Sequence, residues 1–528
     1  MSGMANHEKR RQEDAKKKAK SNTRAKSGAG SKNAGRSRAA RRVGATDSPC
    51  PVDARCGGCK SLCVPYTKQL IDKQLRIERL FAPLAPDGTI SLIKGMKDPY
   101  HYRNKVISPF APGKKLPPRG QDRKAADVRG AKGGKGKRSQ ARYEILTGMY
   151  AAGSHELVPT DKCLIENETA KKVVLAVRDI MRKHDVAPYR EDTGTGFMRH
   201  VVVRVGHTSG EVLVTLVTNS DDFPSSKSFC RELIRLCPAV TTVVQNVNER
   251  QTNVILGDKE RVLYGPGFIL DELCGLSFRI SSKSFYQVNA TQTEVLYRAA
   301  MELAGFDGTQ VAIDAYCGTG TIGLVAAKSG AARVIGVDSV ESAIRDARTN
   351  ARHNGVENAE FVAGDATDFM CALAKEGVLG AESPEEGAQA GGLVVLMDPP
   401  RAGSTEEFLR AAAALAPERI VYISCNPETQ ARDVEFLDSI GYAVVAVQPV
   451  DMFPHTDHIE CIVALEPVDS LSPDCWGKEG GEEEASEEEA PEGDCDGGAA
   501  DEAPNGEAHD VEVPAADPAD PAIDEEVE

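Results

Sequence analysis

Long hydrophobic runs are missing from this 528-residue chain. No apolar stretch reaches the roughly 20 residues a bilayer-spanning helix needs, so no membrane partner is expected. The first residues, MSGMANHEKRRQEDAKKKAK, hold no apolar core either, and no secretory signal is read there. Tryptophan is nearly absent, and the single one, Trp476, stands at the edge of an acidic tail. Fourteen cysteines without a secretory signal point to a reducing, cytoplasmic setting, where thiols are ligands or nucleophiles rather than staples.

What is present is unevenly charged. The net charge of −15 combines a basic start (14 Lys/Arg against 4 Asp/Glu before Cys50) with an acidic end (22 acidic against 1 basic from Leu471). The remainder, near −4, is an ordinary globular balance. The low pI therefore describes a tail. Residues 1–49 form a basic arm without apolar periodicity, expected to be disordered, either solvating or phosphate-binding. Residues 113–142 repeat that composition as an insertion, with 11 Lys/Arg against 2 Asp. Residues 468–528 form the acidic tail, also expected to be disordered.

Between arm and tail the order is legible. Cys50, Cys56 and Cys59 are spaced C-x5-C-x2-C around Gly57-Gly58, and Cys163 is a plausible distant fourth ligand. Four thiolates suit zinc or an iron–sulfur cluster, with Cys63 a nearby spare. YTKQLIDKQLRIERLF reads as an amphipathic helix with Leu70, Ile71, Leu75, Ile77 and Leu80 on its apolar face. RHVVVRVG, EVLVTLVT and VTTVVQNVN predict an antiparallel sheet with a helix at SFCRELIRL, and TNVILG and RVLYG continue strand character.

The chain is organised around AIDAYCGTGTIGLVAA, residues 312–327. A buried strand ends at Asp314, passes Gly318, Gly320 and Gly323, and enters a helix. RVIGVD adds a strand ending in Asp338, placed for a ribose hydroxyl pair. Further strands end at Asp365, at Asp398 in DPPR, and at Cys425 in SCNP. The acidic rim formed by Asp314, Asp338, Asp365 and Asp398 would repel a dinucleotide pyrophosphate and attract the cationic S-adenosylmethionine, which wins over NAD. Cys425, in a sharp turn at a strand end, reads as a nucleophile, whereas Cys317 and Cys461 read as packing residues. On its residues alone Glu460 reads as a surface salt-bridge partner.

From Cys50 to about Glu466 the chain resembles the RNA uracil-5-methyltransferase family. The resemblance is carried by CGGC, YRNK, GTGFMRHVVVR, SFYQVN, DAYCGTGTIGL, DPPRAG, SCNPET and MFPHTDHIE. It implies an α/β fold with a Rossmann-like methyltransferase domain at 286–467 and an α+β RNA-binding domain with a four-cysteine site at 50–285. It implies Cys425 as nucleophile, Glu460 as base, and cofactor contacts at Gln287, Tyr316, Thr321, Asp338, Asp365 and Asp398. Phe285 either stacks on the target base or belongs to the core. Cys50, Cys56, Cys59 and Cys163 match the ligands of a [4Fe-4S] cluster found in the ribosomal RNA branch, which favours ribosomal RNA over tRNA as substrate. A monomer is expected. The small β-barrel that precedes the cysteines in some relatives has no room before Cys50, leaving RNA affinity to the basic arm and insertion. The alternatives are a tRNA uridine C5-methyltransferase or a non-catalytic RNA-binding factor on the same fold, and Asp398, Cys425 and Glu460 speak against the latter.

Overall fold

The computed structural model describes residues 48–117, 143–376 and 391–468. The basic arm, most of the basic insertion, the Gly/Glu/Ala-rich segment at 377–390 and the acidic tail fall outside them.

The first elements are α1 (Tyr66–Phe81), β1 (Lys105–Lys115), β2 (Tyr143–Tyr150), β3 (Leu157–Pro159) and α2 (Glu168–Lys183). They are followed by β4 (Met198–Val205), β5 (Val212–Thr218), α3 (Ser226–Leu236), β6 (Val240–Val247) and β7 (Lys259–Tyr264). A hairpin, β8 (Phe268–Leu273) and β9 (Leu276–Ser281), leads to α4 (Ala290–Ala304). Alternation then begins with β10 (Val311–Ala315), α5 (Thr321–Lys328), β11 (Arg333–Asp338), α6 (Glu341–His353), β12 (Ala359–Ala363) and α7 (Ala366–Glu376). It closes with β13 (Leu393–Met397), α8 (Glu406–Ala414), β14 (Arg419–Ser424), α9 (Pro427–Ser439), β15 (Tyr442–Val450) and β16 (Glu460–Pro467).

Strands β1–β7 form one sheet, ordered β3-β2-β1-β4-β5-β6-β7. Its β5–β6 pair is parallel, not antiparallel as the sequence predicts, because α3 returns the chain to the end from which β5 started. TNVILG is a loop rather than a strand: the Asn248 side-chain amide donates to the carbonyls of Val254 and Ile255 and takes them out of any ladder.

The second sheet, β12-β11-β10-β13-β14-β16-β15, is parallel from β12 to β14. Of these strands, β10, β11, β13 and β14 are largely buried and read as mostly apolar runs, as burial on both faces requires, whereas the edge strand β12 is mostly exposed. The chain winds outward from β10 to β12, then crosses to β13 on the other side of β10. Ligands of open α/β sheets sit at the carboxyl ends beside such a reversal.

Helix α1 corrects the sequence reading. Its buried residues are Gln69, Lys73, Gln74, Ile77 and Phe81, while Ile71 and Leu75 are 57% and 49% exposed. Ile77 and Phe81 join the apolar layer of Ile313, Val395 and Tyr422 under the second sheet. Of the polar remainder of that face, Gln74 bonds to the Ser91 and Ile93 backbone, while Gln69 and Lys73 meet the loop before β16. Lys73 Nζ pairs with Asp451 at 2.7 Å and donates to the Phe453 carbonyl at 3.2 Å. The Tyr66 hydroxyl donates to the other Asp451 oxygen at 2.8 Å. Counting apolar residues cannot find a face whose partner is polar. Lys73→Met strands a buried Asp451 carboxylate and should cost about 3–5 kcal/mol, whereas Leu75→Ser should change stability by less than about 0.5 kcal/mol. Denaturant titration of both variants checks this, and equal losses would contradict the buried polar face.

Candidate active site

Beyond β10 the backbone turns sharply. Tyr316, Gly318 and Gly320 all have positive φ (65°, 52° and 78°) before α5 begins. Gly320 is required because a Cβ there would meet the Phe361 ring at 2.8 Å, whereas one at Gly318 would meet no atom within 4 Å. The open side of the turn thus faces space a ligand can enter. The Gly318 N–H donates to Asp338 at 2.9 Å, fixing that carboxylate beside the turn.

Strand register sets out the rest. Ala315 pairs with Val337 on one side and Met397 on the other, so Tyr316 lies between Asp338 and Asp398 at the sheet edge. Asp314, one step deeper, is fully buried. One of its oxygens accepts the Gly323 N–H at 2.7 Å and the other has no partner. Burial, opposed by the Gly323 N–H and reinforced by Asp398 and Asp338, pushes its carboxyl up to about 8. Desolvation raises Asp398 to about 7. Such an unpaired, crowded acid group is suited to a cation.

The other expected cofactor contacts are more dispersed. Thr321 lies with its hydroxyl 3.0 Å from that of Tyr297. Asp365 is exposed and caps α7, accepting from the N–H groups of Thr367 and Asp368. Gln287 follows the loop after β9, its carbonyl held by the Asn104 amide at 3.1 Å. In the same loop Phe285 is 64% exposed, so it is no core residue. The Thr319 hydroxyl reaches the Phe285 carbonyl at 3.4 Å, joining this loop to the glycine turn.

Cys425 and Glu460 meet through the antiparallel pairing of β14 and β16. Ser424 pairs with Cys461, and the register carried one residue further sets Cys425 opposite Glu460. Glu460 is 3% exposed, which overturns the surface salt-bridge reading. Burial and the charge of Asp398 push its carboxyl well above the usual range, against the opposing pull of Arg401. Burial likewise raises the Cys425 thiol, with Glu460 and Asp398 adding to the rise and Arg401 lowering it. Cys425, Glu460, Asp398 and Arg401 therefore share one electrostatic site. Cys317 and Cys461 are buried within the two apolar layers flanking the sheet.

Cys50, Cys56, Cys59 and Cys163 line a cavity of about 310 Å³ together with Arg103, Arg199 and His200. Exposed Cys63 is not part of its wall. The cysteine loop is anchored by the Gly57 N–H, which donates to the Tyr150 carbonyl at 3.0 Å. The Gly58 N–H points at the Cys56 sulfur at 3.4 Å, and the N–H groups of Ile165 and Glu166 point at that of Cys163. Burial pushes the Cys163 thiol up to about 12 and raises Cys59 as well, with Cys163, Cys56 and Cys50 adding to the rise. Among the described residues no three His, Cys, Asp or Glu side chains are already closed into a metal-binding geometry.

Residues 259–468 match the family model described as tRNA (Uracil-5-)-methyltransferase. An uncharacterized RNA methyltransferase of Bacillus cereus is 37% identical over 425 residues, covering 80% of this chain and 84% of its own. One from Caldanaerobacter subterraneus is 39% identical over 418 residues, covering 79% and 83%. The chain belongs to the tRNA (uracil-5-)-methyltransferase family. Its fold is similar to the crystal structure of Pyrococcus abyssi tRNA (uracil-54, C5)-methyltransferase with S-adenosyl-L-homocysteine. That likeness has a TM-score of 0.56 and 27% identity over 78% of this chain and 86% of the other. The protein is an S-adenosylmethionine-dependent RNA (uracil-5-)-methyltransferase.

In this methyltransferase two residues stand out more than their sequence suggests. Asp314 was read as part of the rim, and only its burial and unpartnered oxygen single it out. Arg401 stands in the quoted DPPR, three residues beyond Asp398, and that proximity was the available signal. Gly323 is a second consequence of the tight turn, since a Cβ there would lie 2.8 Å from Asp314 Oδ2 and 3.1 Å from Val334 Cγ1. Gly323→Ala should displace Asp314 at a cost of about 1–3 kcal/mol and weaken S-adenosylmethionine binding correspondingly. Calorimetric titration of the cofactor measures this, and unchanged affinity would show that Asp314 does not serve the cofactor.

Proposed function

We propose that the enzyme methylates C5 of a uridine through a covalent bond between Cys425 and C6 of the target ring. The observation carrying this reading is the Cys425–Glu460 juxtaposition beside Asp398 and Arg401. Uracil C5 is a poor nucleophile until the ring is activated. The Cys425 thiolate adds to C6, and the C5–C6 π pair moves onto the C4 oxygen as an enolate. When bound, S-adenosylmethionine would supply a sulfonium methyl; C5 bonds to that carbon as the sulfur–methyl bond breaks, the electron pair staying on sulfur, and S-adenosylhomocysteine is the leaving group. Glu460 then accepts the C5 proton, the C5–C6 double bond re-forms, and the sulfur–C6 bond breaks to release Cys425. A carboxyl held above its usual range is a stronger base once ionised. Arg401 offsets the negative charge that accumulates around the pair.

Tyr316, Asp338 and Asp398, with Gln287, Thr321 and Asp365 nearer the margin, are the proposed cofactor contacts. Asp314 contributes a buried carboxyl beneath them, whose ionised form a bound cation would favour. Phe285, exposed beside the glycine turn, is the proposed stacking platform for a base drawn out of its helix.

The four cysteines fit a [4Fe-4S] cluster. They share one cavity, N–H donors point at two of the sulfurs, and cationic side chains stand in its wall to balance a thiolate-bound group. When bound, the cluster would supply a rigid four-point crosslink of residues 50–59 to residue 163. By the resemblance this set carries, ribosomal RNA is the proposed substrate and the cytoplasm its place. A tRNA substrate is the second reading, favoured by the fold likeness to the Pyrococcus tRNA enzyme.

RNA containing 5-fluorouridine should trap the enzyme as a protein–RNA adduct whose crosslinked peptide contains Cys425, and Cys425→Ala should form none. Turnover without any adduct would refute the covalent route. Anaerobically purified protein should be brown with about four irons per chain, and 5-methyluridine should be lost from ribosomal RNA in cells lacking the gene. A colourless zinc protein would overturn the cluster, and loss from tRNA instead would favour the second substrate.

A further inference from the structure

The cysteine loop and the loop before Glu460 are gripped by one buried side chain. Gln69, on α1, is 4% exposed. Its Nε2 donates to the carbonyls of Ser61 (2.9 Å) and Val64 (2.8 Å) and lies 3.1 Å from His455 Nδ1. Its Oε1 accepts the His455 N–H at 2.9 Å. From the other side, the N–H groups of Lys60 and Ser61 both donate to the His455 carbonyl at 3.1 Å. The peptide units of His455 are therefore held between Gln69 and the backbone that immediately follows Cys59.

His455 needs such holding. It is a non-glycine residue at φ 68°, a conformation that persists only where its surroundings impose it. Its ring stacks on Tyr100 with centroids 5.0 Å apart, and the Tyr102 hydroxyl fixes the preceding Pro454 carbonyl at 3.0 Å. Five residues further on is Glu460. The Lys73–Asp451 pair holds the start of the same loop, so its path into β16 is clamped at two points by α1.

We propose that Gln69 is a positioning residue that makes the placement of Glu460 depend on the cysteine loop. Loss of this link slows removal of the C5 proton more than transfer of the methyl group. The inference rests on the reading of Glu460 as base. Proton removal is the step exposed to Glu460 geometry, because a displacement of about 1 Å at a reacting group can cost on the order of a hundredfold in rate. Methyl transfer depends on Cys425 and the cofactor turn, which Gln69 does not touch.

Single-turnover reactions of the full chain with labelled S-adenosylmethionine and substrate RNA separate the two steps. In Gln69→Ala, methyl incorporation should stay within about threefold of wild type, while decay of the methylated protein–RNA adduct slows about tenfold or more. Gln69→Glu keeps the acceptor for the His455 N–H but sets a carboxylate against the Ser61 and Val64 carbonyls, and should behave alike. Glu460→Gln should hold the adduct most strongly. If it does and neither Gln69 variant does, the positioning role is overturned; if it does not, the base reading itself falls. Hydrogen exchange judges the link independently of the chemistry and of the Gln69 variants' folding. Cys59→Ser should speed exchange across residues 452–462 while residues 311–323 stay protected. Unchanged exchange across 452–462 would overturn the link between the loops.

Discussion

The pairing of β16 against β14 is the constraint on which the site depends. Inserting β16 antiparallel between β14 and β15 aligns Ser424 with Cys461, and Cys425 and Glu460 become neighbours as a consequence. A shift of one residue would turn every side chain of β16 to the opposite face of the sheet. The apolar residues on both faces of that strand make such a slip costly: Ile462 joins one hydrophobic layer, while Cys461, Val463 and Leu465 join the other. The relative placement of Cys425 and Glu460 is thus protected by the same burial that holds the sheet together.

A second constraint acts on the entry to β16. The loop from Asp451 to His458 has no ladder of its own; Met452 is buried in an apolar layer, and polar groups from elsewhere fix much of the rest. Tyr66, Gln69 and Lys73 reach it from α1. Asn289, which caps α4, and Gln292 of α4 reach it too, donating to the carbonyls of Met452 (2.9 Å) and Asp451 (3.0 Å). Buried polar networks of this sort stabilise little compared with apolar packing, but they select one conformation because every alternative leaves a donor or acceptor unmet. A loop that leads into Glu460 gains from that trade, since its requirement is accuracy of position.

These two constraints also explain what the sequence could and could not reveal. The glycine turn, the strands and their acidic ends were legible because each is local: a short apolar run, a glycine where φ must be positive, an aspartate at the end. Cys425 was legible for the same reason. Glu460 was not legible from its own residues, because its burial and its neighbour are set by a pairing between distant strands. The inward face of α1 was misread where Gln69 and Lys73 replace the expected Ile71 and Leu75, since periodicity finds apolar stripes and is blind to a helix whose partner is a polar loop. TNVILG carried strand-like residues, yet one amide, that of Asn248, was enough to hold it as a loop. The parallel β5–β6 pair needed the crossover helix to be given more weight than the strands' composition.

The acidic rim has an energetic logic of its own. Asp314 holds its proton up to about 8 in the folded chain, against about 4 when unfolded. A carboxyl raised in this way imposes no penalty on folding below its unfolded value. The penalty grows as pH rises from there and reaches its full size above the folded value. At neutral pH the fold therefore carries an electrostatic cost at its own active site, compounded by Asp398 and Asp338. No packing argument accounts for gathering these groups. A sulfonium cation does, because its charge offsets the repulsion only when it is bound. The site is least favourable to the protein when empty, and that difference is the binding energy it offers to a cationic ligand over a neutral one.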